Sequence, residues 1–210
     1  MKNILKLLLL LLLFTFQKSF AQKYDCGWLG KKTVAERNKI FPFNKAKKVV
    51  LIAYSNHELT IDKNGQVISV DPLSLDEARK KDSSIINKYE IKTEYGSRVY
   101  FSIEEIELTS KWRDELSNIL INYKLKRKPG RTYAVSASGC YTPRNSILFY
   151  DENDNVFCFY EICFECSGSM MYPDPEDLNK YSNVEECNER FDIIKDLFKK
   201  NGIKYGVEDN

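Results

Sequence analysis

The sequence predicts an α+β fold: an antiparallel or mixed sheet with amphipathic helices packed mainly on one face, stabilised by disulfides. Three observations carry this. Short runs rich in β-branched and aromatic residues crowd the middle of the 210-residue chain, as strands do. Stretches with apolar residues at helical spacing flank them, each with a start signal. Six cysteines follow a head that reads as an export signal, so disulfides are their first reading. Strands beside amphipathic helices are most simply buried as a sheet with helices laid upon it.

The head comes first. Lys2 and Lys6 precede the apolar run Leu7–Phe16, and Ser19-Phe20-Ala21 sets small residues before a cut ahead of Gln22. A charged start, a short apolar middle and a small-residue box make a cleaved secretory signal. The competing reading is a membrane-anchoring helix, yet a span needs about 20 apolar residues and this run has about half that. Residues 1–21 are therefore expected to be removed, leaving 22–210 as one α+β domain, exported to the periplasm or secreted. Lipid attachment at the cut is not expected, since no cysteine directly follows Ala21. Loss of Lys2, Lys6 and Lys18 moves the net charge from +2 to −1. A nearly neutral domain gives no electrostatic reason to bind nucleic acid, and no stable membrane span is expected after cleavage.

Lys47–Tyr54 is a short β-branched run and reads as a buried strand. Residues 55–72, with Asn64-Gly65, read as strand fragments and loop. Ser74 with Glu77 has capping-box spacing and opens a short helix through Lys81. Tyr89, Ile91 and Thr93, then Val99, Phe101 and Ile103 after Tyr95-Gly96, alternate as an antiparallel hairpin does. Ser110–Tyr123 is an amphipathic helix with Trp112, Leu116, Ile119, Leu120 and Tyr123 on one stripe and Thr109 or Ser110 as N-cap. Basic residues from Lys124 to Arg131 follow it, where they complement the helix dipole, and Thr132–Val135 is a further candidate strand. Ser146–Tyr150 and Val156–Phe164 flank the Asn/Asp-rich loop 151–155 as a second hairpin. A last helix is predicted from Val184 to about Lys200, with Ser182 and Glu185 as capping box and Gly202 beyond its end.

Five of the six cysteines, Cys140, Cys158, Cys163, Cys166 and Cys187, lie in the C-terminal half, and Cys26 stands apart. Along the second hairpin strand, Cys158, Tyr160, Ile162, Phe164 and Cys166 share the more apolar face. That face should lie under the last helix, whose buried stripe contains Cys187, so Cys166–Cys187 is the first-choice bridge. Cys140 can then meet Cys163, and Cys26 with Cys158 remains by elimination. Cys163-Phe164-Glu165-Cys166 also has the spacing of a thiol–disulfide exchange motif. Such pairs usually sit at a helix N-terminus, whereas this one ends a strand with an acid between the sulfurs. Residues three apart in extended chain are about 10 Å apart, beyond the limit of about 7 Å for a disulfide, unless the strand stops near Cys163.

Other chemistry is sparse. Met170-Met171 beside Cys166 has the softness a copper ion favours, but structural zinc wants paired ligand motifs and the chain has one C-x-x-C and one histidine, His57. A c-type haem needs His where Ser167 stands. No cofactor or metal is expected. Serine-hydrolase, zinc-protease and phosphate-loop motifs are absent, and Glu104-Glu105 and Glu185-Glu186 read as solvated charge. The basic run 124–131 is either a solvated helix end or a contact for a polyanion. Arg144, after Pro143 in a loop leading into the second hairpin, is the binding candidate: a guanidinium on a stiff loop suits a carboxylate or phosphate. Its structural alternative is an ion pair with Glu161 or Glu165. The expected function is an exported, non-catalytic binding domain whose partner is a protein, an envelope component or a small ligand. The alternatives are a thiol–disulfide oxidoreductase using Cys163 and Cys166, or a soft-metal-binding envelope protein.

Overall fold

The structure, a computed structural model, describes residues 26–55, 74–93, 96–126, 141–173 and 187–208. In chain order its elements are β1 (Cys26–Trp28), α1 (Val34–Arg37), β2 (Lys48–Ser55), α2 (Leu75–Lys81), β3 (Asn87–Thr93), β4 (Gly96–Glu107), α3 (Ser110–Asn122), β5 (Tyr123–Leu125), β6 (Asn145–Tyr150), β7 (Val156–Cys163), β8 (Gly168–Tyr172) and α4 (Asn188–Lys200). Helices and an antiparallel sheet together make the fold α+β, mostly sheet. Six strands pair in the order β3-β4-β2-β6-β7-β8, and β1 with β5 forms a separate two-stranded ribbon.

Local chemistry sets the element ends. Ser74 accepts from Glu77 N–H while the Glu77 carboxylate takes the Ser74 N–H and hydroxyl, so the capping box opens α2 as expected. Thr33 and Glu36 close the same box on α1, a turn not anticipated from the sequence. Thr109 caps α3. In the loop between β6 and β7, the Asp151 carboxylate accepts from the N–H groups of Asn153 and Asn155, each at 2.9 Å, and Asp154 adopts φ 63. The Asn/Asp loop predicted there works by this self-capping. At the far end, Gly202 follows α4 with φ 93, where glycine alone is unstrained.

The sheet is strongly curled. Tyr100 of β4 and Phe159 of β7 have ring centroids 6.1 Å apart, although β2 and β6 lie between their strands. Flat strands about 4.8 Å apart would hold them about 14 Å apart. Register shifts in β2/β4 at Ala53/Tyr54 and in β6/β7 at Phe149/Tyr150 add local twist. Alternation then sorts the side chains. Leu51, Ala53, Ile147, Phe149, Cys158, Tyr160 and Ile162 share a core with Leu116, Ile119 and Leu120 of α3 and Phe191, Ile194 and Phe198 of α4. The intervening positions, Val50, Ile52, Tyr54, Ile91, Tyr100, Leu148, Tyr150 and Phe159, make a second, aromatic-rich cluster.

Several expectations need correction. Gly168–Tyr172 form strand β8, which the sequence did not anticipate, pairing Cys163 with Gly168 and Glu161 with Met170. Strand β7 stops at Cys163, so Cys166 leaves the apolar face assigned to it. Cys187 bonds Cys26 instead, with Cα atoms 5.9 Å apart. Ribbon β1–β5 brings this about: it carries Cys26 beside Tyr123, Leu125 and Cys187 at the start of α4. The bridge Cys166–Cys187 and the pairing Cys26–Cys158 are both ruled out by it. Helix α4 is described from Asn188 with Cys187 as N-cap; Val184 and the Ser182/Glu185 box fall outside the described residues. So do the head, residues 56–73 with His57 and Asn64-Gly65, Arg127–Arg131, Thr132–Val135, Cys140 and Glu185-Glu186. Among the described residues no helix is long and apolar enough to cross a membrane.

Candidate functional site

The second cluster bears two polar groupings, one at each end. At the β2 C-terminal end lies Glu161, the one acid in the run Val156–Phe164. It is 2% exposed. Its carboxylate accepts from the hydroxyls of Tyr100 at 3.0 Å and Tyr54 at 3.3 Å through one oxygen, and from Tyr141 at 3.0 Å through the other. A buried charge is tolerated when donors surround it in this way. Burial and the neighbouring Glu161 charge hold the Tyr54 hydroxyl well above the ordinary phenol range. The curl assembles this cluster, since the tyrosines come from β2, β4 and the segment before β6. Its sequence signal was slight: a lone acid among alternating aromatics.

The cysteine turn adjoins it. The Tyr141 ring lies across Gly168, where a Cβ would stand 3.1 Å from its Cδ2 and 3.7 Å from the Cys166 sulfur. Cys163 and Cys166 are free thiols in hydrogen-bonding contact, and the Cys163 sulfur also accepts from the N–H groups of Cys166 and Thr142. Burial and the Cys166 neighbour push the Cys163 thiol up, against the pull of those two amides. Cys158 is free and buried in the main core, its thiol pushed up by burial alone. Arg144 Nη1 meets Glu165 Oε1 at 2.8 Å. Of its two weighed uses, the ion pair is the one present, and it leaves the guanidinium one-third exposed.

At the other end is a cleft of about 460 Å³ lined by Lys48, Val50, Asn87, Lys88, Tyr89, Glu105, Glu107 and Tyr150. Glu105 is held by Asn87 Nδ2 at 3.0 and 3.1 Å, by Tyr89 Oη at 2.7 Å and by Ser102 Oγ. Tyr89 also bonds Tyr150; burial first, then these bonds, lift its hydroxyl far above the ordinary range. Lys48 sits 4.2 Å over the Tyr150 ring and 2.7 Å from Asp154. The sequence reading of Glu104-Glu105 as solvated charge is overturned. Glu104 accepts from the N–H groups of Lys204 at 2.7 Å and Tyr205 at 3.0 Å, while Glu105 is the anchored acid of the cleft. Strand alternation sends them to opposite faces. Nothing in the local sequence announced either partner.

Among the described residues no three His, Cys, Asp or Glu side chains converge as metal ligands do. Comparison with known protein families, with curated proteins and with solved structures returns no match.

Proposed function

We propose that this chain is an exported binding domain, periplasmic or secreted, that holds a small polar ligand in the cleft between Tyr89 and Tyr150. The helices are taken to pack mainly on one face of the sheet, which leaves the aromatic face for recognition. One observation carries the reading: a cleft of about 460 Å³ with tyrosine walls and an anchored carboxylate. Ligand sites are typically concave, with aromatic walls and a few fixed polar groups. Glu105 has its orientation set by three side chains, so little side-chain entropy is lost when it accepts a ligand N–H or O–H. Lys48 adds a cation to the cleft lining, which favours ligands bearing hydroxyls or both charge signs. The Cys26–Cys187 bond supports export, since such bonds persist in oxidising compartments.

Two measurements test this. Titration with a panel of mono- and disaccharides and free amino acids, followed by tyrosine ring shifts in NMR, should give a hit. Glu105→Gln and Tyr89→Phe should each weaken that hit at least tenfold with little change in melting temperature. A panel without a hit, or one whose binding ignores both substitutions, rejects the cleft. Intact mass of the exported protein should begin at Gln22; retention of Met1 rejects the export reading.

A further inference from the structure

The turn joining β7 to β8 presents chemistry that ligand binding does not use. We propose that Cys163 and Cys166 form a dithiol–disulfide couple that exchanges with external disulfides, with Cys166 as the entry thiol. The geometry is that of a turn and not of a strand. β7 ends at Cys163, the chain turns over residues 164–167 with Ser167 at φ 50, and Cys163 lies opposite Gly168. A turn of this kind brings residues three apart within about 7 Å, inside disulfide range. The thiols are already in contact.

The two sulfurs differ in access and support. Cys163 is 1% exposed, while Cys166 is only partly buried. An external disulfide therefore meets Cys166 first, and Cys163 waits behind it. Burial pushes the Cys163 thiol up, and two backbone N–H groups aimed at its sulfur offset part of that by stabilising the anion that must form there, as hydrogen bonds to a charged form do. Glu165 between the cysteines opposes a thiolate, but its carboxylate is paired with Arg144 at 2.8 Å. Arg144 thus acts as a positioning residue, drawing that negative charge away from the sulfurs.

The exchange balances in two steps. The Cys166 thiolate attacks a disulfide RSSR, forming Cys166–S–S–R and releasing RS⁻. The Cys163 thiolate then attacks the Cys166 sulfur, closes Cys163–S–S–Cys166 and expels the second RS⁻. Two electrons pass from the cysteine pair to RSSR, and the two thiol protons end on the two RSH products. A dithiol donor runs the sequence backwards.

The test uses the whole exported protein in buffers of oxidised and reduced glutathione, quenched with acid and mapped by mass spectrometry. The expected result is a Cys163–Cys166 peptide whose fraction follows a reversible two-electron curve, with Cys158 unmodified throughout. Persistent free thiols across all ratios, or a map joining either cysteine to Cys140, overturns the proposal. In Cys163→Ser a Cys166–glutathione adduct should accumulate, and in Cys166→Ser no adduct should form on Cys163. The reverse pattern overturns the entry assignment, and circular dichroism of both variants checks their fold. Arg144→Ala should slow oxidation severalfold and raise the pH at which it is half-maximal, and Arg144→Lys should restore part of both. An unmoved pH profile overturns the positioning role. None of these readouts depends on a ligand in the cleft.

Discussion

The molecule closes one pair of cysteines and leaves another open, and the two pairs differ in every physical respect. Cys26 and Cys187 are 161 residues apart in sequence and bonded; Cys163 and Cys166 are three apart and reduced. The first pair lies where two peripheral pieces meet, ribbon β1–β5 and the start of α4. Its bond removes unfolded-state entropy over a long loop, worth up to about 5 kcal/mol on the loop-closure account. The second pair sits within one hairpin that six-stranded pairing already holds. Closing so short a loop gains little stability and leaves the bond free to cycle. Position in the fold, and not nearness in sequence, separates a clamp from an exchangeable pair.

The largest expected effect breaks the clamp. Cys26→Ala with Cys187→Ala should cost about 3–5 kcal/mol in urea unfolding, whereas Cys163→Ser with Cys166→Ser should cost at most about half as much. Equal losses would dissolve the distinction between the pairs. Next comes Gly168→Ala, whose new methyl would stand 3.1 Å from the exposed Tyr141 ring, so that the ring must give by a few tenths of an ångström, at about 1 kcal/mol, the low end of overpacking costs. Most of that loss should disappear in a Tyr141→Ala background, and a loss that persists would place the strain elsewhere.

A pH effect tests the Glu161 cluster. Tyr54 keeps its proton in the folded state to higher pH than in the unfolded chain. Its contribution is complete below about pH 10 and lost as pH rises beyond, because the unfolded state then binds fewer protons. Thermal melts between pH 8 and 11, a range set by the ordinary phenol pKa, should show falling stability, with a shallower fall in Tyr54→Phe. A parallel fall in both proteins counts against this cluster as the source. The smallest effect is expected from Arg144→Ala. An ion pair whose carboxylate side chain is 57% exposed contributes about 0.5 kcal/mol or less, so a loss well above that in chemical denaturation would give the pair a structural weight denied to it here.

Much of the fold was legible because it rests on local rules. Capping residues Ser74 and Thr109 open their helices, the Asp151 loop turns its hairpin, and β2, β3, β4, β6 and β7 lie within a few residues of their predicted spans. The stripe of α3 buries Leu116, Ile119 and Leu120 as its spacing required. What escaped was short or paired at a distance. Strands β1 and β5 have three residues each and exist because they pair across the chain. Strand β8 was hidden by Ser167-Gly168-Ser169, whose turn character is spent on the turn before it.

The sites divide along the same line. Alternation and capping act over a few residues, so the sequence alone determined helices α2 and α3, the β3–β4 and β6–β7 hairpins and the apolar face of β7 that carries Cys158, Tyr160 and Ile162 into the main core. It also marked Cys163, Cys166, Arg144 and Glu165 as chemically notable, and they do gather around one turn. Only the tertiary structure decided that Cys187 meets Cys26, because ribbon β1–β5 and the start of α4 are distant in sequence and meet only in the folded chain. It alone decided that three tyrosines surround Glu161 and that Glu105 is the anchored acid of a cleft. The first depends on how far the sheet curls, a sum of small twists and two register shifts that no single stretch of residues records. The second depends on the pairing of β3 with β4, which sets Asn87 and Tyr89 beside Glu105.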